Sequence, residues 1–284
     1  MTTIQWDFGS AYDFFISLFV IHHPDRFGLR AAWAAGVRSR FNPEDRQFLE
    51  ETLNFLPVPL SWIYRLPLEN KSTTAVLNLL ASIPPEKRLI SLFRSSLMTD
   101  EVYTTIESIE RNQKVSTNDL NVLRTIFQQR TTPIKTRDVR KMADVFLNPV
   151  EFGDKLLNVF RGYYQVFFAE EEERILPSLK EGLSQAKNLA KDLPIAQLLE
   201  QLSHGVKIEN LDTYQKVILS PSYWSSPLNF FNPTQADEML VVFGCRQDTQ
   251  NLIPGEYVPE SLVTELKALA DPTRLRILHY LSQG

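Results

Sequence analysis

Apolar residues recur every three or four positions over most of the first 205 residues of the chain, which is the spacing of one face of an α-helix. Leu120, Leu123, Ile126 and Phe127, for example, fall on the same face of one predicted helix. Prolines interrupt the pattern at intervals that suit short helices. The pattern therefore predicts a helical N-terminal domain over residues 1–205.

Three of the predicted helices begin with recognisable caps. Asn42 precedes Pro43, and Ser72 precedes a run of apolar residues. Ser116 is followed three residues later by Asp119, which is the spacing of a capping box. Asn and Ser side chains at such positions accept hydrogen bonds from the first backbone N–H groups of a helix, so these starts are well defined.

The helical pattern lengthens from Asn148 onward. The segment from there to Leu202 predicts either one long kinked helix or several collinear helices. Pro177 and Pro194 mark the expected breaks or kinks, because proline removes a backbone donor inside a helix.

Aromatic residues are concentrated in the first half of this segment, in the stretch NVFRGYYQVFFAEE. The simplest interpretation is a stripe that faces the core, with tyrosine hydroxyls that reach the surface. The alternative is an apolar ligand pocket between helices, lined by Arg161, Tyr163 and Tyr164 and closed by Tyr223 and Trp224. Both interpretations fit the sequence.

After residue 205 the helical spacing gives way to short runs rich in β-branched and aromatic residues, namely VKIEN, YQKVILSPSYW, PLNFF and EMLVVFGCR. Asp, Ser, Pro and Asn separate these runs, which is typical of strands joined by turns. We predict a small antiparallel sheet and a linker over residues 206–254. The fold class expected for the chain is thus mainly α with a small antiparallel β-sheet (α+β).

Composition narrows the classes of function. The formal net charge is -4, so nucleic acid is not attracted to the chain as a whole and any DNA contact requires a local basic surface. Cys245 is the single cysteine, which excludes an internal disulfide and suits a reducing cytoplasm. The N-terminus carries no targeting signal, and the apolar stretch AYDFFISLFVIHH is too short to span a membrane. We therefore expect a cytoplasmic protein without a membrane partner.

Candidate catalytic and metal-binding residues are few. His22 and His23 are adjacent, and neighbouring side chains on a helix diverge, so this pair is a poor chelate. Cys245 has no histidine close to it in sequence, and its strand context favours a small buried residue. The chain also lacks a glycine-rich phosphate loop and a nucleophile-elbow motif. The sequence predicts that the protein is not an enzyme and uses no cofactor or metal.

The last segment, residues 260–284, has the pattern of two amphipathic helices. Asp271 is the predicted cap of the second helix, and Pro272 occupies its first turn. Leu275 and Leu278 continue the apolar face of the first helix. We therefore predict a two-helix corner whose apolar seam needs further partners.

This segment closely resembles the opening of the winged helix-turn-helix domain of ArsR-type bacterial transcriptional regulators, where L-K-A-L-A-D-P-T-R-L-R-I-L followed by L-S-x-G forms the first two helices. The match runs nearly unbroken from Leu266 to Leu278. The start of the module is marked by Leu269, Asp271, Pro272, Arg274, Leu275, Ile277 and Leu278. The fragment VILSPSYWSSPLNFF, residues 217–231, adds a weaker resemblance to a group of larger ArsR-like regulators.

The resemblance implies a transcriptional regulator that binds double-stranded operator DNA as a homodimer and senses a small-molecule or protein effector through its N-terminal region. In that family the helix that enters the major groove follows the matched segment, so it would lie beyond Gly284 and no DNA-binding residue can be assigned. We accordingly expect a truncated module in this chain. An α-helical interaction or adaptor protein without DNA binding is the alternative.

Overall fold

A computed structural model describes residues 2–69, 71–93, 98–128, 133–208, 210–235, 237–247, 250–254 and 280. The chain divides into two compact units, Met1–Cys245 and Arg246–Gly284. The helices and strands given below all belong to the first unit. The residues that mark the predicted winged-helix module, from Leu269 to Leu278, lie outside the described residues.

Helices dominate the first unit, which confirms the predicted mainly α character. In the described ranges they are α1 (Ser10–His22), α2 (Ala31–Arg38), α3 (Pro43–Thr52), α4 (Leu60–Tyr64), α5 (Thr73–Ser82), α6 (Pro85–Leu92), α7 (Asp100–Asn112), α8 (Thr117–Arg124), α9 (Thr136–Val145), α10 (Pro149–Tyr163), α11 (Ala169–Asp192) and α12 (Ile195–Leu202). Short 3₁₀ helices cover Pro24–Arg26, Thr125–Phe127 and Leu211–Thr213.

The three predicted caps are confirmed. The Asn42 side chain accepts a hydrogen bond from the backbone N–H of Asp45 at 2.8 Å, and Ser72 accepts one from the N–H three residues further on. Ser116 and Asp119 exchange side-chain and backbone bonds in both directions, which completes a capping box. These signals are local in sequence, and the starts of α3, α5 and α8 follow from them.

The long aromatic segment is nearly continuous helix. A π-helical turn, Tyr164–Phe168, joins α10 to α11. Helix α11 continues through Pro177 and ends at Asp192, just before Pro194 and α12. Wide turns of this kind are rare inside α-helices and are frequent near functional sites.

The sheet has four strands, β1 (Thr3–Trp6), β2 (Lys216–Ser222), β3 (Phe230–Gln235) and β4 (Glu238–Gly244), in the spatial order β1-β2-β4-β3. The prediction of a small sheet is confirmed, but its antiparallel character is wrong for two of three pairings. Strand β2 runs parallel to both β1 and β4, and only β3 and β4 are antiparallel.

The burial of β2 and β4 agrees with their parallel pairing. The apolar runs of β2 and β4 are buried along nearly their whole length, which is typical of parallel strands covered on both faces rather than of an alternating antiparallel strand. One face of the sheet packs against α11 and α12 through a core cluster of Ala186, Leu198, Leu199, Val217, Leu219, Met239, Val241 and Phe243. Helices α1 and α4 also contact the sheet.

Candidate functional site

Polar side chains collect where the parallel strand β2 ends. Ser222 is the last residue of this strand, and Tyr223 and Trp224 follow it directly. Helix α1 brings Asp13 to this point, and the first turn of α11 brings Glu171. Because ligands of open sheets bind outside the carboxyl ends of parallel strands, this end of the sheet is the candidate functional site.

Asp13 lies at the centre of this buried polar cluster. Its Oδ1 atom accepts hydrogen bonds from Ser222 Oγ at 2.8 Å and from the backbone N–H of Trp224 at 2.7 Å. The side chain is completely buried, and its Oδ2 atom has no hydrogen-bonding partner among the described residues. Burial raises the pKa of Asp13 to about 7, although hydrogen bonds from the Trp224 backbone, the Ser222 side chain and the Tyr223 backbone act in the opposite direction. Asp13 is therefore a group that exchanges its proton near neutral pH.

Glu171 is a second buried carboxylate of the cluster, and it is fully paired. Arg174 donates from Nε to Glu171 Oε2 at 2.8 Å and from a terminal nitrogen to Oε1 at 2.5 Å. Trp224 Nε1 donates to the same Oε1 at 2.8 Å. Arg174 also donates to the Tyr223 hydroxyl at 3.0 Å and lies over its ring. This bidentate pair offsets the cost of burying the Glu171 charge.

The neighbouring Glu172 binds the N-terminal ends of two helices. Its Oε1 atom accepts hydrogen bonds from Ser10 Oγ in α1 and from the backbone N–H of Thr73 in α5, the latter at 3.0 Å. Its Oε2 atom accepts one from the Tyr164 hydroxyl at 3.0 Å. A carboxylate is favourable at the positive end of a helix, so Glu172 ties α11 to both α1 and α5.

An ion pair lies beside the end of β1. Lys71 Nζ is 2.6 Å from Asp7 Oδ2 and also donates to the Tyr64 carbonyl at 2.7 Å. The Tyr12 hydroxyl donates to the same Asp7 oxygen, and burial raises the pKa of Tyr12 well above its usual value. The chain passes so close to Lys71 that a Cβ atom at Gly9 would lie 2.4 Å from it, which is why glycine occupies this position.

The chemistry open to the cluster is proton exchange. Asp13 and Ser222 are not joined by a histidine in the described part of the chain, so they form no catalytic triad there. A substrate reaches Asp13 only if the packing opens, because the side chain is completely buried. Gain or loss of its proton therefore changes the charge that is buried between α1 and the end of β2.

The five residues predicted to line a ligand pocket divide between core and surface. Tyr163, Tyr223 and Trp224 are buried, Tyr164 is half-buried, and Arg161 is exposed. Tyr223 and Trp224 take part in the polar cluster through Arg174 and Asp13, and Tyr164 through Glu172. Arg161 takes no part in the cluster.

Tyr163 belongs to an aromatic core. Its ring is 5.3 Å from that of Phe14 and stacks on Phe41, with 6.0 Å between centroids. Its hydroxyl hydrogen-bonds Ser17 Oγ at 2.9 Å, and burial raises the pKa of Tyr163 well above its usual value. Phe167 connects this core to Trp224. These rings of the aromatic stretch thus face the core, but the Tyr163 hydroxyl is buried against Ser17 instead of reaching the surface.

The histidine pair is held by its own helix. His22 Nδ1 lies 2.8 Å from the Leu18 carbonyl, and His23 Nδ1 lies 2.9 Å from the Phe19 carbonyl. Burial lowers the pKa of His22 to about 4, so its ring is neutral at neutral pH. Among the described residues, no group of three or more His, Cys, Asp or Glu side chains is arranged to hold a metal ion.

Cys245 is half-buried and packs closely on α11. A Cβ atom at Gly182 would lie 2.4 Å from the Cβ of Cys245.

Sequence reasoning missed Asp13, Glu171 and Arg174 as members of a site. A signal existed for Asp13, because it is the one charged residue in a run of apolar residues that fills a buried helix. Glu171 lies in a run of four acids, which is more often a solvated face, and nothing in sequence separates it from its neighbours.

Comparison with known proteins gives no relative for this chain. No protein-family model, no curated protein and no solved structure matches it. None of the helices in the described ranges is both long and apolar enough to cross a membrane.

Proposed function

We propose that the chain belongs to a bacterial transcriptional regulator of the ArsR-like type, which acts in the cytoplasm as a homodimer on double-stranded operator DNA. The unit Met1–Cys245 is its sensing and dimerisation region. The observation that carries this proposal is the nearly unbroken motif from Leu266 to Leu278. Its sequence pattern predicts an apolar helical face and a capped turn, which is how a helix-turn-helix begins.

The division of the chain supports this assignment of roles. The boundary between the two compact units falls after Cys245, so the motif belongs to a different unit from the helices and the sheet. A regulator needs such a separation, because its sensing part must bias a DNA-binding part. An effector does so only if it binds the DNA-competent and the incompetent forms with unequal affinity.

DNA selection tests the proposal. The protein as its gene encodes it is incubated with fragmented genomic DNA, and the retained fragments are sequenced. We expect enrichment of a short, two-fold-symmetric sequence. Fluorescence anisotropy at physiological salt then compares that sequence with a shuffled duplex, and we expect preference by a factor of roughly 10³ or more.

Leucine-to-aspartate substitutions test the role of the motif, and one such substitution at an exposed position is the control. Leu275→Asp with Leu278→Asp places charges on the apolar seam of the motif and is expected to abolish the sequence preference. Leu228→Asp makes the same change at an exposed position and is expected to leave it intact. Absence of any enriched sequence would contradict the proposal, and the interaction or adaptor function would then take its place.

A further inference from the structure

A cavity of about 600 Å³ lies away from the buried polar cluster, between α3, the end of α9 and the start of α10. Its volume is within the range of small-molecule sites, about 300–1,000 Å³. Three phenylalanines, Phe48, Phe55 and Phe152, supply its apolar surface. The Phe48 and Phe152 rings are 5.0 Å apart, and the rings of Phe55 and Phe152 are 6.5 Å apart.

The protein core holds the aromatic lining of this cavity in place. Phe55 is almost completely buried, so the bottom of the cavity is fixed by the core. Phe48 and Phe152 are only half-buried and present ring surface to the cavity. An aromatic ring carries partial negative charge on its face, so this surface attracts a cation as well as apolar groups.

Charged residues around the rings decide which ligand charge is favoured. The lining contains two lysines, Lys141 and Lys155, and four carboxylates, Glu44, Glu51, Asp144 and Glu151. Both lysines are already engaged, since Lys141 Nζ lies 2.8 Å from Glu51 Oε1 and Lys155 pairs with Asp45.

Two of the four carboxylates remain for a ligand. Asp144 pairs with Arg140 at 2.8 Å, and Glu51 is held by Lys141. Glu44 and Glu151 have no ion-pair partner among the described residues, and both are exposed at the mouth of the cavity. The unbalanced charge at the mouth is therefore negative.

We propose that this cavity binds a small organic cation, a quaternary ammonium or a protonated amine with an apolar body. The charged nitrogen lies against the rings of Phe48 and Phe152 and close to Glu44 and Glu151, and the apolar body fills the rest of the cavity. Recognition of a cation by aromatic faces and carboxylates together accounts for both features of the lining. An anionic ligand is disfavoured, because the lysines are engaged and the open carboxylates repel it.

Benzyltrimethylammonium is a suitable probe, because it joins one aromatic ring to a quaternary nitrogen. Isothermal titration of the whole chain is expected to give a dissociation constant on the order of 1 mM, as befits so small a ligand. Phenylmethanesulfonate has a similar shape and the opposite charge, and it is expected not to compete. Absence of binding at several millimolar, or equal competition by the sulfonate, overturns the proposal.

Substitutions of the lining residues test whether the cation binds in this cavity. Glu44→Gln with Glu151→Gln removes the two open charges and is expected to weaken binding of the cation roughly three- to tenfold. Phe152→Leu keeps an apolar side chain but removes the ring face, and is expected to weaken it roughly two- to fivefold. These measurements do not involve DNA, so a negative result here can be told apart from a failure of the regulator proposal.

The matched control removes two charges elsewhere. Glu101→Gln with Glu107→Gln alters exposed glutamates of α7, one of them in the first turn of its helix. Binding of the cation is expected to stay within twofold of the unaltered chain. If this control weakens binding as much as Glu44→Gln with Glu151→Gln, or if neither the latter pair nor Phe152→Leu weakens it, the cation does not bind in this cavity.

Discussion

The fold places the carboxyl group of Asp13 in surroundings that disfavour its charged form. It is completely buried, and only one of its two oxygens accepts hydrogen bonds from the described residues. The folded-state pKa is raised to about 7, so the folded protein binds this proton more tightly than the unfolded chain does. Its contribution to stability is therefore fully present below about pH 4 and is lost progressively as the pH rises to about 7.

Asp13→Asn tests this pH dependence. The variant keeps an acceptor for Ser222 and Trp224 but cannot ionise. Between pH 5 and 7 we expect the free energy of unfolding of the original chain to fall, relative to the variant, by about 1.4 kcal/mol per pH unit at most. Urea unfolding at a series of pH values measures the difference.

An exposed aspartate serves as the comparison for this experiment. Asp25→Asn makes the same chemical change at an exposed position and is measured at the same pH values. A difference between Asp13→Asn and the original chain that does not change with pH would show that Asp13 does not titrate in this range.

At the residue scale, sequence predicts what depends on near neighbours. The caps at Asn42, Ser72 and Ser116 need only the next three residues, and all three are present. The partners of Asp13 are more than 200 positions away, at Ser222 and Trp224. A lone acid in an apolar helix shows that a partner is needed, but only the folded chain shows which one.

At the scale of elements, α6 and α10 can approach closely because the residue at their contact, Gly153, has no side chain. A Cβ atom at Gly153 would lie 1.9 Å from the backbone oxygen of Pro85, and backbone does not move aside cheaply. We expect Gly153→Ala to lower the free energy of unfolding by about 2 kcal/mol or more. Urea unfolding followed by circular dichroism measures it.

The same helix offers a control. A Cβ atom at Gly162, also in α10, would meet nothing within 4 Å. Alanine is favoured over glycine inside a helix by about 0.5–1 kcal/mol, so Gly162→Ala is expected to raise stability slightly. If Gly153→Ala and Gly162→Ala change the free energy of unfolding equally, Pro85 does not lie close to Gly153.

Sequence patterns predict where the strands lie better than they predict which strands pair and in which direction. The strands β2 and β4 were expected from their apolar runs, but turn residues between them favoured an antiparallel sheet. The chain instead forms the β3–β4 hairpin and places β4 beside β2, so that β2 and β4 are parallel. Strand β1 has only four residues, too few for a pattern, and was missed.

Within the first unit, the N-terminal strand β1 pairs with β2, which lies near the other end of the unit. Residues of β1 pair with residues of β2 more than 200 positions later, as in Trp6 opposite Leu219. The core cluster includes strand and helix residues, with Trp6 partly buried against it. No sequence signal of short range predicts such a pairing, whose loop-closure cost is offset only in the complete fold.

Gln5→Pro tests whether this N-terminal strand is part of the cooperative fold. The N–H groups of Thr3 and Asp7 donate to carbonyls of Gln215 and Leu219, and alternate residues donate in a parallel ladder, so the N–H of Gln5 also faces β2. Proline removes that donor, and we expect the free energy of unfolding to fall by roughly 2 kcal/mol.

Two probes and one control make the outcome decisive. Gln5→Thr keeps the N–H group and suits an exposed strand position, so its stability is expected to stay within about 0.5 kcal/mol of the original. For Gln5→Pro, circular dichroism and tryptophan fluorescence are expected to report the same lowered urea midpoint, because the strand and the helices share one core. An unchanged midpoint by circular dichroism would mean that β1 detaches locally while the rest of the unit stays folded. The pairing of β1 with β2 would then not stabilise the unit as a whole.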